Sequence, residues 1–405
     1  MESTSTNTKS KFEVEVEGVR GWAVLIVAAS HLVGAHIIDP GFMPEGILRY
    51  LHGGNAGVML FFLLSGYVIG LTTHEDSSNQ ARITYLRKRC VRLVPIYVIV
   101  MLPLLWIDSS LSLTGALGNL FFLSNFNTYL GLSIPPISLN TPVWSLNYEM
   151  IYYLVFLVWW GKSPSVIAHL LIATGIAVLG WFVKDFPQFL AGWCCGWIFW
   201  ISGWWLSKQP KHSTPPSDGV ILFGLLCLLA TFHFASGRLL AGFLNLPQQG
   251  NSFIHLATLE MLPACFLMIA HAGQRVIPFQ KILFCIVLAI PMGCIGVLAL
   301  QNRLTENLNW TFACILTPLA ILFLFVKGCR ATRWIAWLGG IGYAVYLIHY
   351  PLLYLVSILP IPSGTLGSFF LRSAIWAVLT IAISIILERH MQPALRTYLN
   401  RNYKT

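Results

Sequence analysis

Ile282-Leu283-Phe284-Cys285-Ile286-Val287-Leu288-Ala289-Ile290-Pro291-Met292-Gly293-Cys294-Ile295-Gly296-Val297-Leu298-Ala299-Leu300 runs for nineteen residues without a charge. A helix that crosses a bilayer needs about 20 mostly apolar residues, whereas a helix on a soluble domain keeps a polar face. The stretch reads as a membrane span. Similar runs recur near 20–38, 54–73, 92–107, 143–160, 164–183, 188–206, 219–236, 255–273, 309–326, 335–358 and 367–387, which makes twelve candidates. The third is short, and the fifth and sixth are separated only by Lys184-Asp185-Phe186-Pro187. The expected architecture is an all-α, polytopic transmembrane helix bundle of about 10–12 spans. Its parts are a segment 1–19, a core over 20–387 and a tail over 388–405.

Composition agrees. Hydrophobic residues make up 56% of the chain and charged ones 10%, where a soluble domain carries about a quarter charged. Too little polar residue is present to coat a water-facing surface. The net charge of +10 does not point to nucleic acid, because the cations gather in the short segments between apolar runs. With the N-terminus inside, twenty of the 25 Lys and Arg fall on the cytoplasmic side, and Arg49, Lys184, Arg238, Arg303 and Arg372 remain outside. This bias predicts both termini in the cytoplasm. It also predicts a multi-pass protein of the cell (inner) membrane if the source is bacterial. The nine cysteines lie mostly in apolar runs without zinc-type spacing, and read as small buried hydrophobes. The exit of the first run, Ile37-Ile38-Asp39-Pro40, lacks an Ala-x-Ala site, so no cleaved leader is expected.

Ionisable groups inside spans are costly, and each is a candidate for function. Arg20 stands at the mouth of the first run. His31, eleven residues on, lies roughly 16 Å up that helix. Glu149, about 9 Å from the outer end of its helix, and His349, also about 9 Å below the outer face, fall at similar depth. Each has a bland alternative: a lone histidine is often held by a carbonyl or hydroxyl, whereas a buried carboxylate needs a partner or a proton. Glu260 is shallow enough to snorkel, and His255 and His271 read as interfacial. The segment 82–92 reads as a loop with five cations before Pro95. Positive-inside bias explains part of it; a phosphate clamp explains the placement of Arg89 and Arg92 on one face of an incipient helix. The glycines of Gly53-Gly54-Asn55-Ala56-Gly57 lack the Lys-Ser/Thr of a P-loop and suit close helix approach. The segment 108–142, long for a connection, is a candidate lid.

Several blocks then resemble the membrane acyltransferase-3 family: Arg20-Gly21-Trp22-Ala23 with His31, Gly57 through Ser65-Gly66-Tyr67, and Arg89-Cys90-Val91-Arg92-Leu93-Val94-Pro95. Pro142-Val143-Trp144-Ser145-Leu146-Asn147-Tyr148-Glu149 and Leu338 through Tyr346-Leu347-Ile348-His349 complete the set. The region 160–330 carries no matching motif. The resemblance implies an acyl-CoA donor, acetyl by default, taken from the cytoplasm, and a hydroxyl acceptor on a sugar, glycan, glycolipid or small molecule. It implies His31 as central catalytic residue and Arg20, Arg89, Arg92 and Glu149 as functional, with Ser65, Trp144, Tyr346 and His349 as further candidates. Gly342 stands where the family usually has Ser. Some members carry an appended hydrolase-like domain, which is not expected here.

The chemistry follows. A neutral imidazole can take the hydroxyl proton, with Glu149 expected to orient it and the arginines to hold phosphate. Direct transfer and an acyl-enzyme both stay open. No metal and no tightly bound cofactor is called for. Two other classes compete: a secondary transporter, whose broken helices in repeated halves are not evident, and a non-catalytic scaffold or receptor, against which the buried charges count.

Overall fold

The computed structural model of the protein describes residues 13–401, apart from 74–76, 109, 128–132, 163–164, 213–215, 247–253 and 327–328. Lys9, Lys11, Lys327 and Lys404 of the charge pattern lie outside the described residues. The helices are α1 (Val14–Gly34), α2 (Gly54–Thr72), α3 (Asn79–Ile107), α4 (Leu113–Leu120), α5 (Trp144–Trp159), α6 (Val166–Phe182), α7 (Gln188–Ser207) and α8 (Asp218–Phe234). They continue with α9 (Ser236–Phe243), α10 (Leu262–Ala272), α11 (Gln280–Leu300), α12 (Leu308–Phe323), α13 (Ala331–Gly339), α14 (Gly342–Ser357), α15 (Leu366–Ile385) and α16 (Gln392–Arg401). The one strand pairing among the described residues is Phe126–Asn127 against Ser133–Ile134, antiparallel.

The protein is an all-α polytopic bundle. Six helical segments are long and apolar enough to cross a membrane, or eight if each of two bent pairs counts as one span. Three shorter apolar helices accompany them. The outward faces of α3, α6, α11, α12 and α15 present apolar side chains such as Leu102, Ile167, Ile282, Leu322 and Val378, as a lipid-facing belt requires. The α2 and α7 windows are 67% buried, against 22% for α3, so the former make the centre and the latter the rim. Small residues allow that centre. A Cβ on Gly66 would lie 1.8 Å from the Trp200 carbonyl oxygen, and one on Gly203 2.0 Å from that of Leu63. Only hydrogen fits where α2 and α7 touch.

Three sequence expectations change. The segment 82–92 is helix, part of α3, which runs from its Ser78 cap through Pro95 and Pro103. Proline normally ends a helix because it leaves the carbonyl four residues earlier unpaired. Here Gln392 Nε2 donates to the Val91 carbonyl at 2.7 Å. The same repair serves α14, where Asn140 Nδ2 donates to the Leu347 carbonyl at 2.9 Å, four residues before Pro351. Second, 108–142 is no loose loop. It contains α4 and the short hairpin, and Asp108 ties its ends by accepting from the Ser138 hydroxyl at 2.7 Å. Third, Cys285 is exposed on α11, unlike the buried Cys195, Cys227, Cys265 and Cys294.

Charges read as lying on one side do gather at one end. Glu13 pairs with Lys211 and, at 3.9 Å, with Arg275. Glu15 pairs with Arg333 at 2.6 Å, and Lys208 donates to the Gly70 carbonyl. At the other end Asp39 accepts from Ser363, Ser368 and Gly364 N–H. Burial pushes the Asp39 carboxyl up, but these bonds outweigh it and hold the group below its ordinary range. Arg372 is buried there, donating to the carbonyls of Pro362, Val356, Ser357 and Ile361.

Candidate active site

α13 and α14 meet at a bend of 75°, which brings α14 alongside α1. The α14 residues facing the interior, Tyr343, Tyr346, His349 and Tyr350, form one file of polar groups. At its upper end, His31 Nδ1 lies 2.9 Å from His349 Nε2, and the Tyr350 ring meets His31 edge-on at 5.3 Å. His349 is fully buried. Its Nδ1 faces the carbonyls of Val345 at 3.0 Å and Tyr346 at 2.8 Å. Carbonyls only accept, so that nitrogen carries the proton and Nε2 of a neutral ring is an acceptor. His31 then donates from Nδ1, and its own Nε2 keeps the lone pair. His31 lines a cavity of about 420 Å³ with Ser30, Arg49, His52, Thr141 and Tyr350. The expected coincidence in depth of His31 and His349 is thus a direct contact.

Below them, Tyr346 bonds the Ser145 hydroxyl at 2.6 Å and the Pro142 carbonyl. Trp144 packs edge-on against Tyr148. Glu149 is placed differently from the sequence expectation. It accepts from Ser65 Oγ at 2.9 Å and from the Tyr153 hydroxyl, not from His31. Depth counted along a helix leaves the azimuth undetermined, and Glu149 turns toward α2. Ser65 and Tyr153 join Glu149 in one cluster, their hydroxyls 3.2 Å apart; Tyr153 carried no sequence signal of its own.

The arginines sit at the far end of the file. Arg89 stacks over Tyr85 at 5.6 Å and Tyr153 at 6.0 Å and reaches Thr72 at 3.2 Å. Its Nε is buried without a hydrogen-bond partner among the described residues. Arg92 stacks over Tyr343 at 5.6 Å and pairs with Glu388. Glu388 rides on a π-helical turn, Ile386–Met391, of the kind that often marks functional sites. It lies beyond the boundary at 387 drawn from apolar runs, which is why sequence reading missed it. Arg20 pairs with Glu17 at 2.6 Å, and its side chain passes Gly342, where a Cβ would meet Val24 Cγ2 at 2.8 Å. The space available to a serine at that position is small. Glu260 does not snorkel; it accepts from the Gly237 N–H at the start of α9. His271 Nε2 accepts from Ser217 N–H at a helix end.

A family model described as an acyltransferase domain matches residues 13–389, and the chain belongs to this family, acyltransferase-3. The chain is similar to acyltransferase MdmB of Streptomyces mycarofaciens, 27% identical over 154 residues that make up 35% of this chain and 38% of the relative. It is also similar to peptidoglycan O-acetyltransferase OatA of Listeria monocytogenes, 24% identical over 428 positions covering 98% of this chain and 57% of the relative. The chain therefore spans less than two thirds of the length of either. No solved structure matches significantly.

Proposed function

We propose that this integral membrane acyltransferase moves a short acyl group, acetyl in the simplest case, from acyl-CoA to a hydroxyl of a saccharide acceptor. The observation that carries the reading is the His31–His349 contact at the wall of the cavity that His31 lines. In the reaction the acceptor oxygen attacks the thioester carbon while its proton passes to His31 Nε2. The carbon–sulfur bond breaks, the proton goes on to the coenzyme A thiolate, and an ester and a free thiol result. Buried His349, fixed by two carbonyls, holds the His31 ring in the required tautomer.

Arg20, Arg89 and Arg92 are suited to the donor phosphates, with Glu17 and Glu388 occupying two of them when no donor is bound. From Tyr343, beneath Arg92, to His349 is about 9 Å along α14, a distance that an extended pantetheine arm covers. The cation-rich end would face the cytoplasm and the His31 cavity the opposite side. The name of the relative OatA, a peptidoglycan O-acetyltransferase, favours a glycan hydroxyl as acceptor and acetyl as cargo.

The test uses purified protein in detergent without any gradient. Acyl-CoA with a saccharide acceptor should give free thiol and acylated product, which a transporter would not produce. His31→Ala should lower transfer by about a hundred- to ten-thousand-fold with acyl-CoA affinity near wild type. The double variant Arg89→Gln, Arg92→Gln should weaken donor binding by at least roughly ten-fold. A loss of only a few-fold in His31→Ala would make that residue structural.

A further inference from the structure

The cavity that His31 lines has a second polar wall. Ser30, the preceding residue, lines it too, and the two side chains leave α1 about 100° apart. His31 turns to His349 on α14, whereas Ser30 turns to the start of α2. Close packing brings that start within reach. A Cβ on Gly57 would lie 2.9 Å from the Ala23 carbonyl oxygen and 2.7 Å from Val27 Cγ2, and one on Gly54 3.1 Å from Ser30 Oγ. Ala23, Val27 and Ser30 thus form the stripe of α1 along which α2 runs.

Ser30 Oγ accepts from the Gly54 N–H at 3.1 Å and from the Gly53 N–H at 3.4 Å. A serine hydroxyl has two lone pairs and one hydrogen. The two N–H groups take both lone pairs, so toward anything further Ser30 acts only as a donor. Among the described residues no acceptor holds that hydrogen, and no Asp or Glu lines the cavity to compete for it. Each N–H that Oγ accepts also polarises its O–H and strengthens it as a donor.

Acyl transfer needs such a donor beside the base. As the acceptor oxygen attacks the thioester, the carbonyl electron pair moves onto oxygen, and the negative charge must be met by hydrogen-bond donors already in place. His31 takes a proton and cannot also serve. We infer that Ser30 is a further catalytic residue, whose hydroxyl donates to the thioester carbonyl oxygen and stabilises the oxyanion. Ser30 keeps its proton throughout, and the electron pair returns to carbon as the carbon–sulfur bond breaks. The inference rests on the proposed acyl transfer at His31 and adds the group that meets the developing charge.

The alternative role for Ser30 is structural, holding the first turn of α2, and three substitutions in the full chain in detergent separate the two. Ser30→Ala should slow single-turnover acyl transfer about a hundred-fold at unchanged acyl-CoA affinity. Ser30→Thr keeps the hydroxyl and should stay within a few-fold of wild type. Ser30→Asp still accepts from both N–H groups but, as a carboxylate, has no hydrogen to give. It should transfer no faster than Ser30→Ala, with a thermal unfolding midpoint near wild type. A direct readout is the infrared band of bound acetyl-CoA labelled with carbon-13 at its carbonyl. In wild type and Ser30→Thr the band should lie at lower wavenumber than in free acetyl-CoA, and Ser30→Ala should return it toward the free value. Wild-type activity in Ser30→Asp, a loss of only a few-fold in Ser30→Ala, or the same band in wild type and Ser30→Ala overturns the proposal. A band that depends on Ser30, with transfer unaffected in His31→Ala, keeps Ser30 and removes the base. Transfer lost in His31→Ala, with a band indifferent to Ser30, does the reverse.

Discussion

His31 and Glu149 divide between two ends of the polar file, and their substitutions should divide in the same way. His349 accepts from His31 Nδ1, so His349→Phe removes the side chain that fixes the His31 ring. The loss should be about 1.5–3 kcal/mol, or roughly ten- to a hundred-fold in the rate of the chemical step, at unchanged acyl-CoA affinity. Glu149 acts on Tyr153, over which Arg89 lies. Glu149→Gln should therefore shift acyl-CoA affinity while the single-turnover rate stays within a few-fold. Parallel losses of rate in both variants would tie Glu149 to His31 after all. The sequence placed His31 and His349 at similar depth, counting His349 along one span that in fact bends by 75°, and it named no pairing between them. It did not separate Glu149 from His31, because azimuth follows from which neighbour a helix face meets.

Among the elements, α3 and α14 each run through a proline whose orphaned carbonyl is filled by an amide from another part of the chain. Gln392 is 301 residues from Val91, and Asn140 is 207 from Leu347. No local pattern announces such a repair, so Pro95 reads as the end of a loop and the beginning of a span. Gln392→Leu should strand the Val91 carbonyl at a cost of about 1–3 kcal/mol, seen as a lower midpoint of thermal unfolding in detergent. Pro95→Ala restores the N–H that pairs with that carbonyl, so adding it to Gln392→Leu should recover most of the loss. A double variant no more stable than Gln392→Leu alone would mean that Gln392 works by another route. The repair also locates Arg92, which lies one residue past Val91 and faces Glu388 on the adjoining π-turn. The geometry at Arg92, on the proposed donor side, is thus tied to the packing of the C-terminal helix.

For the whole molecule, the cations assigned to one side cluster at one end, and Asp39 and Arg372 clamp the other. Both chain ends should face the cytoplasm and the 108–142 segment the opposite side. A cysteine placed near Asn127 should react with an impermeant reagent in intact cells, and one placed at the C-terminal end only after permeabilisation. The opposite pattern would reverse the orientation and place the arginine end outside, away from cytoplasmic acyl-CoA.

By itself the sequence determined that this chain lives in a bilayer as a helix bundle, where most of its long apolar runs lie, and which side its charges favour. Hydrophobic length, helical rise and charge balance are local quantities that add along the chain. Tertiary structure alone decided that α3 continues through Pro95, that Glu149 belongs with Ser65 and Tyr153, and that Glu388 meets Arg92. Each of these depends on side chains far apart in sequence meeting in one place. In a membrane most helix faces are alike in hydrophobicity, so the sequence pattern carries little information about which faces meet. Close fits such as Gly66 against the Trp200 carbonyl, and the need to satisfy every buried polar group, make that choice.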